Sequence, residues 1–293
     1  DATMTVDLGT VQTIVGSMPV VHRLALAVVP IDAVTQRPVP TDLRVAVELA
    51  APPALAAQGW PFRAPAVIRS GAAHVVLHTA LVPQAGGATV TVRVLDPSRR
   101  YVPRRLRVPL WRLPEVTGID QEPPASPFVP ALRRMVSPWL LPGSAYPLPG
   151  GVTAIRVRVR RAGVSVRWAR VEARDTGGAL VTWAHGDEHG QALLFLDGLA
   201  APANPFTPVS LAVRVHIPPA PTSQVVEDLK HDLMADLPVE GLARSPLPPA
   251  PPAHDDPVSI GTALPPGFLT SSQDEVIQAV VGTVTAQHDI EFS

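Results

Sequence analysis

Proline limits what this chain can become more than any other residue: it occupies 36 of 293 positions. Inside a helix each proline costs about 3 kcal/mol, whereas strand edges, turns and extended connectors accept it. That loading argues against a helical bundle and against an enzyme of alternating strands and long helices. A chain with 46% hydrophobic and 17% charged residues still has enough apolar surface to fold. The expected class is therefore all-β, with two tandem antiparallel sandwiches joined by proline-rich connectors.

The prolines are unevenly spread, and their distribution divides the sequence. Residues 1–17 form an N-terminal segment, 18–112 a first β-sandwich and 113–150 a proline-rich connector. Residues 151–218 form a second sandwich, and 219–293 an extended arm with a short helix and a C-terminal docking segment. In the first sandwich, strands are expected at 20–29, 42–49, 73–79, 88–95 and 106–110, from β-branched runs and period-two alternation. In the connector, 130–136 suits a short helical turn, and Trp139-Leu140-Leu141 should cover a sandwich edge. The second sandwich is the clearest part. Ile155, Val157 and Val159 alternate with three arginines, and Leu211, Val213 and Val215 alternate in the closing strand. Turns are expected at 175–178 and 187–190. In the arm, Thr222 or Ser223 can cap a helix whose stripe Val225, Val226, Leu229, Leu233 and Leu237 is stopped by Pro238. Residues 272–275 read as a capping box, while 280–292 fit helix or strand equally.

The net charge of −1 hides a strong segregation. Residues 93–174 carry 16 arginines against five acids, and residues 175–293 carry 15 acids against three basic residues. Such blocks imply a charged partner, or a basic middle that meets an acidic tail of the same or a neighbouring chain. Arg99, Arg100, Arg104, Arg105, Arg107, Arg156, Arg158 and Arg160, with Tyr101 to stack on a base, raise nucleic acid as such a partner. The alternation of the strands and the nearby acids favour a solvated or protein-contacting face instead.

Few residues suggest catalysis. His185-Gly186-Asp187-Glu188-His189 matches the H-x-x-E-H pattern of a zinc-peptidase class, a chemistry that needs the two histidines on one helix face. Gly186 and Gly190 and the flanking strands predict a turn instead. On a strand, two residues four positions apart lie about 13 Å from each other. No serine elbow or phosphate-cradling glycine loop occurs, and Asp255-Asp256 and Asp274-Glu275 lie in the arm. With no cysteine, disulfides and thiolate-bound metals are excluded. No catalytic, cofactor-binding or metal-ligating residue is therefore assigned. No apolar run reaches the roughly 18 residues of a membrane helix, and no signal-peptide pattern is visible. Cytoplasmic synthesis, without a membrane span, is expected.

Two resemblances add to this reading. The strings Ala154-Ile155-Arg156-Val157-Arg158-Val159, Val164–Ala173 and Asp187-Glu188-His189-Gly190-Gln191-Ala192-Leu193-Leu194 resemble the carboxypeptidase regulatory-like, or transthyretin-like, β-sandwich module. His185-Gly186 stands where that module usually has a threonine before the aspartate. The resemblance implies two transthyretin-like or immunoglobulin-like sandwiches. Asp96–Arg105 and Trp183–Asp187 are similar to strings in accessory proteins of phage-tail-like contractile injection systems. That implies a structural subunit incorporated into a particle, as a baseplate, cap or accessory component. Its partners would be other protein subunits, or further copies of itself, engaged through the arm. The alternative expectation is a surface or carbohydrate-binding sandwich, although aromatic content is only 4% and Trp60, Trp111 and Trp168 look partly structural.

Overall fold

A computed structural model describes residues 4–7, 10–15, 18–39, 42–48, 67–77, 89–110, 134–196, 208–241 and 264–293. Over these residues the protein is all-β, with one short helix. The first half supplies β1 (Met4–Asp7), β2 (Thr10–Val15), β3 (Met18–Val28), β4 (Ile31–Asp32), β5 (Arg44–Glu48), β6 (Ile68–Ser70), β7 (Ala73–Leu77), β8 (Thr89–Leu95) and β9 (Arg104–Pro109). One antiparallel sheet runs β1-β2-β3-β7-β6, and another places β8 between β5 and β9. Leu26 and Val28 of the first meet Val47, Val92 and Leu106 of the second in one apolar cluster. Each buried side chain of this size contributes roughly 1.5–3 kcal/mol, and the packing explains why these β-branched runs form strands.

The connector is more regular than its prolines suggest. Of the helical turn expected at 130–136, Arg134 lies in a 3-10 turn, and the chain then forms a strand, β10 (Met135–Val136), parallel to β3, with β11 (Trp139–Leu140) following parallel to β4. Residues 111–133 lie outside the described residues. Proline fits here because the connector mainly accepts: the carbonyls of Val136 and Pro138 take the N–H groups of Val29 and Ile31 at 2.8 and 2.9 Å. Leu140 and Leu141 are buried, as the edge-covering role of this tripeptide requires, and Trp139 is half-buried.

The second sandwich follows the predicted pattern. It comprises β12 (Ala154–Arg161), β13 (Val164–Ser165), β14 (Arg170–Arg174), β15 (Leu180–His185), β16 (Gln191–Phe195) and β17 (Val209–Ile217). Ile155, Val157 and Val159 point into a core with Val171, Leu211, Val213 and Val215, while the arginines of β12 face outward. In the turn after β15, Gly190 has φ of +73°, and a Cβ there would lie 2.7 Å from the Val166 carbonyl oxygen. Only glycine meets both demands.

The arm departs most from expectation. Thr222 does cap a helix, α1 (Ser223–Asp228), but that helix stops after six residues. Residues 229–236 form turns, in which the Asp232 carboxylate accepts the Met234 N–H at 3.1 Å and so diverts the backbone from helix. The stripe is split accordingly: Leu237 is buried, while Val226 and Leu233 are exposed. Then β18 (Val239–Gly241) pairs parallel with β9 of the first sandwich. The chain returns as β19 (Leu269–Thr270), β20 (Glu275–Ala279) and β21 (Val284–Glu291). Residues 272–275 thus lead into a strand rather than capping a helix, and the ambiguous tail is a strand. β19 and β20 pair with β17, and β21 pairs parallel with β12. Ile277, Ala279 and Ile290 enter the second core, so this sandwich takes in residues past 218, among them the C-terminal docking segment.

Candidate functional site

The two charge blocks meet within the chain. On β8, Arg93 reaches Glu48 of β5 at 3.0 Å and grips both carboxylate oxygens of Asp232 at 2.8 and 2.9 Å. On β9, Arg105 holds Glu48 in a two-point contact at 2.7 Å and also donates to the carbonyls of Ala235 and Leu237. Arg104 forms a second fork, its Nε and Nη2 lying 2.9 and 2.5 Å from the Glu240 oxygens, and donates to the Trp139 carbonyl as well. From the second sandwich, Trp168 Nε1 donates to Asp236 at 2.9 Å, and Arg167 pairs with the same carboxylate at 3.1 Å. The arm therefore forms a seam: three of its acids bind groups on both sandwiches. Further along, Asp274 pairs with Arg214, and Asp289 with Arg158 and Arg160.

Buried charges at the seam need such partners. Burial pushes the Glu240 carboxyl up, but the Arg104 charge and its hydrogen bonds bring it below the ordinary glutamate value. His185, at the end of β15, faces the same region. Burial drives its imidazole down to about 4, with Glu240 pulling up and Arg104 and Arg170 pushing down. Behind it, Glu172 is held at about 2 by His216 first, then by Arg174 and Arg170, against the upward effect of burial. Arg170 sits over the Trp183 ring, 4.5 Å from its centroid, and pairs with Glu172 at 3.0 Å.

The residues singled out in the sequence fall into place around this seam. His185 and His189 are in different settings: the first is directed at the seam, whereas the second is exposed, with Nε2 3.5 Å from Arg99 and 3.6 Å from Glu188. Asp187 makes the expected turn, its Oδ1 accepting the N–H groups of His189 and Gln191. No group of three or more His, Cys, Asp or Glu that could hold a metal occurs among the described residues. Of the arginines that raised nucleic acid as a partner, Arg99 pairs with Glu188 and Arg100 with Asp96. Tyr101 is buried rather than available for stacking. Asp255 and Asp256, Trp60 and Trp111 lie outside the described residues.

One cluster was not anticipated. The chain has two tyrosines, Tyr101 and Tyr146, and both hydroxyls donate to Asp32 Oδ2 at 2.8 Å. The other oxygen accepts the N–H groups of Val34 and Thr35. Burial and the Asp32 hydrogen bond raise both phenols well above their ordinary value. The sequence marks Asp32 as a turn former, but nothing local places the tyrosines beside it.

No protein-family model matches the chain, and no curated protein matches it. Among solved structures it is similar to the Bacillus anthracis TIE protein, with 8% identity and a TM-score of 0.23, over 99% of this chain. The chain spans 41% of that structure's length. A likeness at that level defines neither a family nor a function. No helix among the described residues is long and apolar enough to cross a membrane.

Proposed function

We propose that the protein is a non-enzymatic structural subunit of a larger bacterial or phage-derived particle, of the contractile-injection or phage-tail-like kind. Its sandwiches, read as transthyretin-like modules, act as a braced spacer, and its arm contacts neighbouring protein subunits. The observation that carries this reading is the division of labour along the arm. Asp232, Asp236 and Glu240 are spent on the chain's own arginines, while Val226 and Leu233 remain 50% and 75% exposed. Apolar side chains presented from a segment pinned by buried ion pairs suit contact with another protein better than with solvent.

The test is sedimentation of particles from the producing organism, followed by quantification of this chain. The wild-type chain is expected in the particle fraction at a fixed ratio to the other subunits. The Val226→Ser, Leu233→Ser double variant should keep its fold and remain outside that fraction. Finding the wild-type chain in no high-mass species would overturn the proposal.

A further inference from the structure

Between the two sandwiches lies a second feature, on the side of the molecule where β11 approaches β15 and β16. It is a cleft of about 440 Å³, within the usual size range of small-ligand sites. The turn after β4, the connector and the start of β12 complete its walls. Trp139, Trp183 and Phe195 line it together with Gln36, Thr153 and Thr182.

The walls are held by contacts that do not depend on a ligand. Trp183 is held by Arg170 over its ring and by a T-shaped contact with His185, the two ring centroids 5.4 Å apart. Phe195 packs edge-on against Tyr146 at 5.5 Å, and Tyr146 is tied to Asp32. The Trp139 backbone is fixed by pairing with β4 and by Arg104. Gln36 sits at the cleft with φ of +56°, in a turn whose N–H groups are bound by Asp32. Thr153 Oγ1 accepts the Gly282 N–H at 2.8 Å, which leaves its own proton to donate.

The chemistry of the lining narrows the occupant. In a chain whose neighbouring surface is dense with paired charges, none of the described residues lining this cleft is ionisable. A charged ligand would leave water without a compensating partner on these described walls, which favours a neutral occupant. Indole and phenyl surfaces offer flat apolar contact, and two hydroxyls and an amide offer donors and acceptors beside them. A molecule with apolar C–H faces and a rim of hydroxyls satisfies both. We infer that this cleft is a binding site for a neutral mono- or disaccharide. It gives the carbohydrate-binding alternative a location, and not at Trp168, which is buried with its N–H bound by Asp236. The inference is independent of the assembly role.

The experiment uses the intact isolated chain and the indole N–H resonances of Trp139 and Trp183, assigned with Trp139→Phe and Trp183→Phe. The probes are glucose, galactose, mannose, N-acetylglucosamine, maltose, cellobiose, lactose and chitobiose, with glucuronate and a neutral alkyl detergent as comparisons. With at least one neutral sugar, both indoles should shift together and saturate with a Kd of about 1 mM or tighter. Thr182→Val should weaken that sugar roughly fivefold without changing the melting temperature. The inference is overturned if no neutral sugar gives a saturable shift by about 20 mM. It is equally overturned if only the detergent or glucuronate does, or if the shifts occur at other indoles alone.

Discussion

His185 and Glu172 make this protein's stability depend on acid in a particular way. The imidazole of His185 titrates near 6.5 when unfolded and at about 4 in the fold, so the native state resists its protonation. Its contribution is complete above pH 6.5 and is lost as pH falls through 4, on the order of 3 kcal/mol. Glu172 goes from 4.5 to about 2, so its contribution is complete above pH 4.5 and is lost as pH falls through 2. Urea denaturation between pH 7 and 4 should show falling stability, with a visibly shallower slope in His185→Gln. An equal slope in the variant would remove His185 from the account. At Gly190, alanine meets both the positive φ and the Val166 carbonyl, and a loss of about 3 kcal/mol is expected in the same assay. Of these residues, the sequence made Gly190 legible as part of a turn. It hid the environment of His185, because that is assembled from β9, β14 and an arm strand far apart in the chain.

At the level of elements, β12 and β17 were readable because each alternates through its middle, with Ile155, Val157 and Val159 or Leu211, Val213 and Val215 on a buried face. β18 was not. It is three residues long, and its identity comes from Glu240, whose forked contact with the nearly buried Arg104 aligns the strand on β9. The full-length helix read from the leucine stripe failed for a related reason: Asp232 is committed to Arg93 and to its own turn, which splits the apolar positions. Breaking a buried ion pair from one side costs about 3–5 kcal/mol, since the remaining charge stays desolvated. Glu240→Gln should therefore destabilise the chain strongly, and Arg104→Met with Glu240→Leu should recover much of the loss. Denaturant midpoints for Arg104→Met, Glu240→Leu and the double variant, beside Glu240→Gln, check this. Additive losses would show that the pair is not coupled.

For the whole molecule, the charge segregation visible in the sequence has a structural meaning. The basic middle and the acidic arm are complementary surfaces of a single chain, and the arm crosses from the second sandwich to the first and back. Composition alone left open whether the acidic partner was the same chain or a neighbour, because charge counts carry no connectivity. The absence of cysteine allows a direct test on a clean background. Gly241 and Arg107 are opposite one another in the β18–β9 register, both are exposed, and a Cβ at Gly241 meets nothing within 4 Å. Neighbouring strands place such positions about 4.8 Å apart, within disulfide range. The Arg107→Cys, Gly241→Cys chain, oxidised and run unreduced, should form a disulfide within a single polypeptide and migrate as a monomer. Disulfide-linked dimers in place of that monomer, or two thiols that stay reduced, would contradict an arm folded onto its own chain.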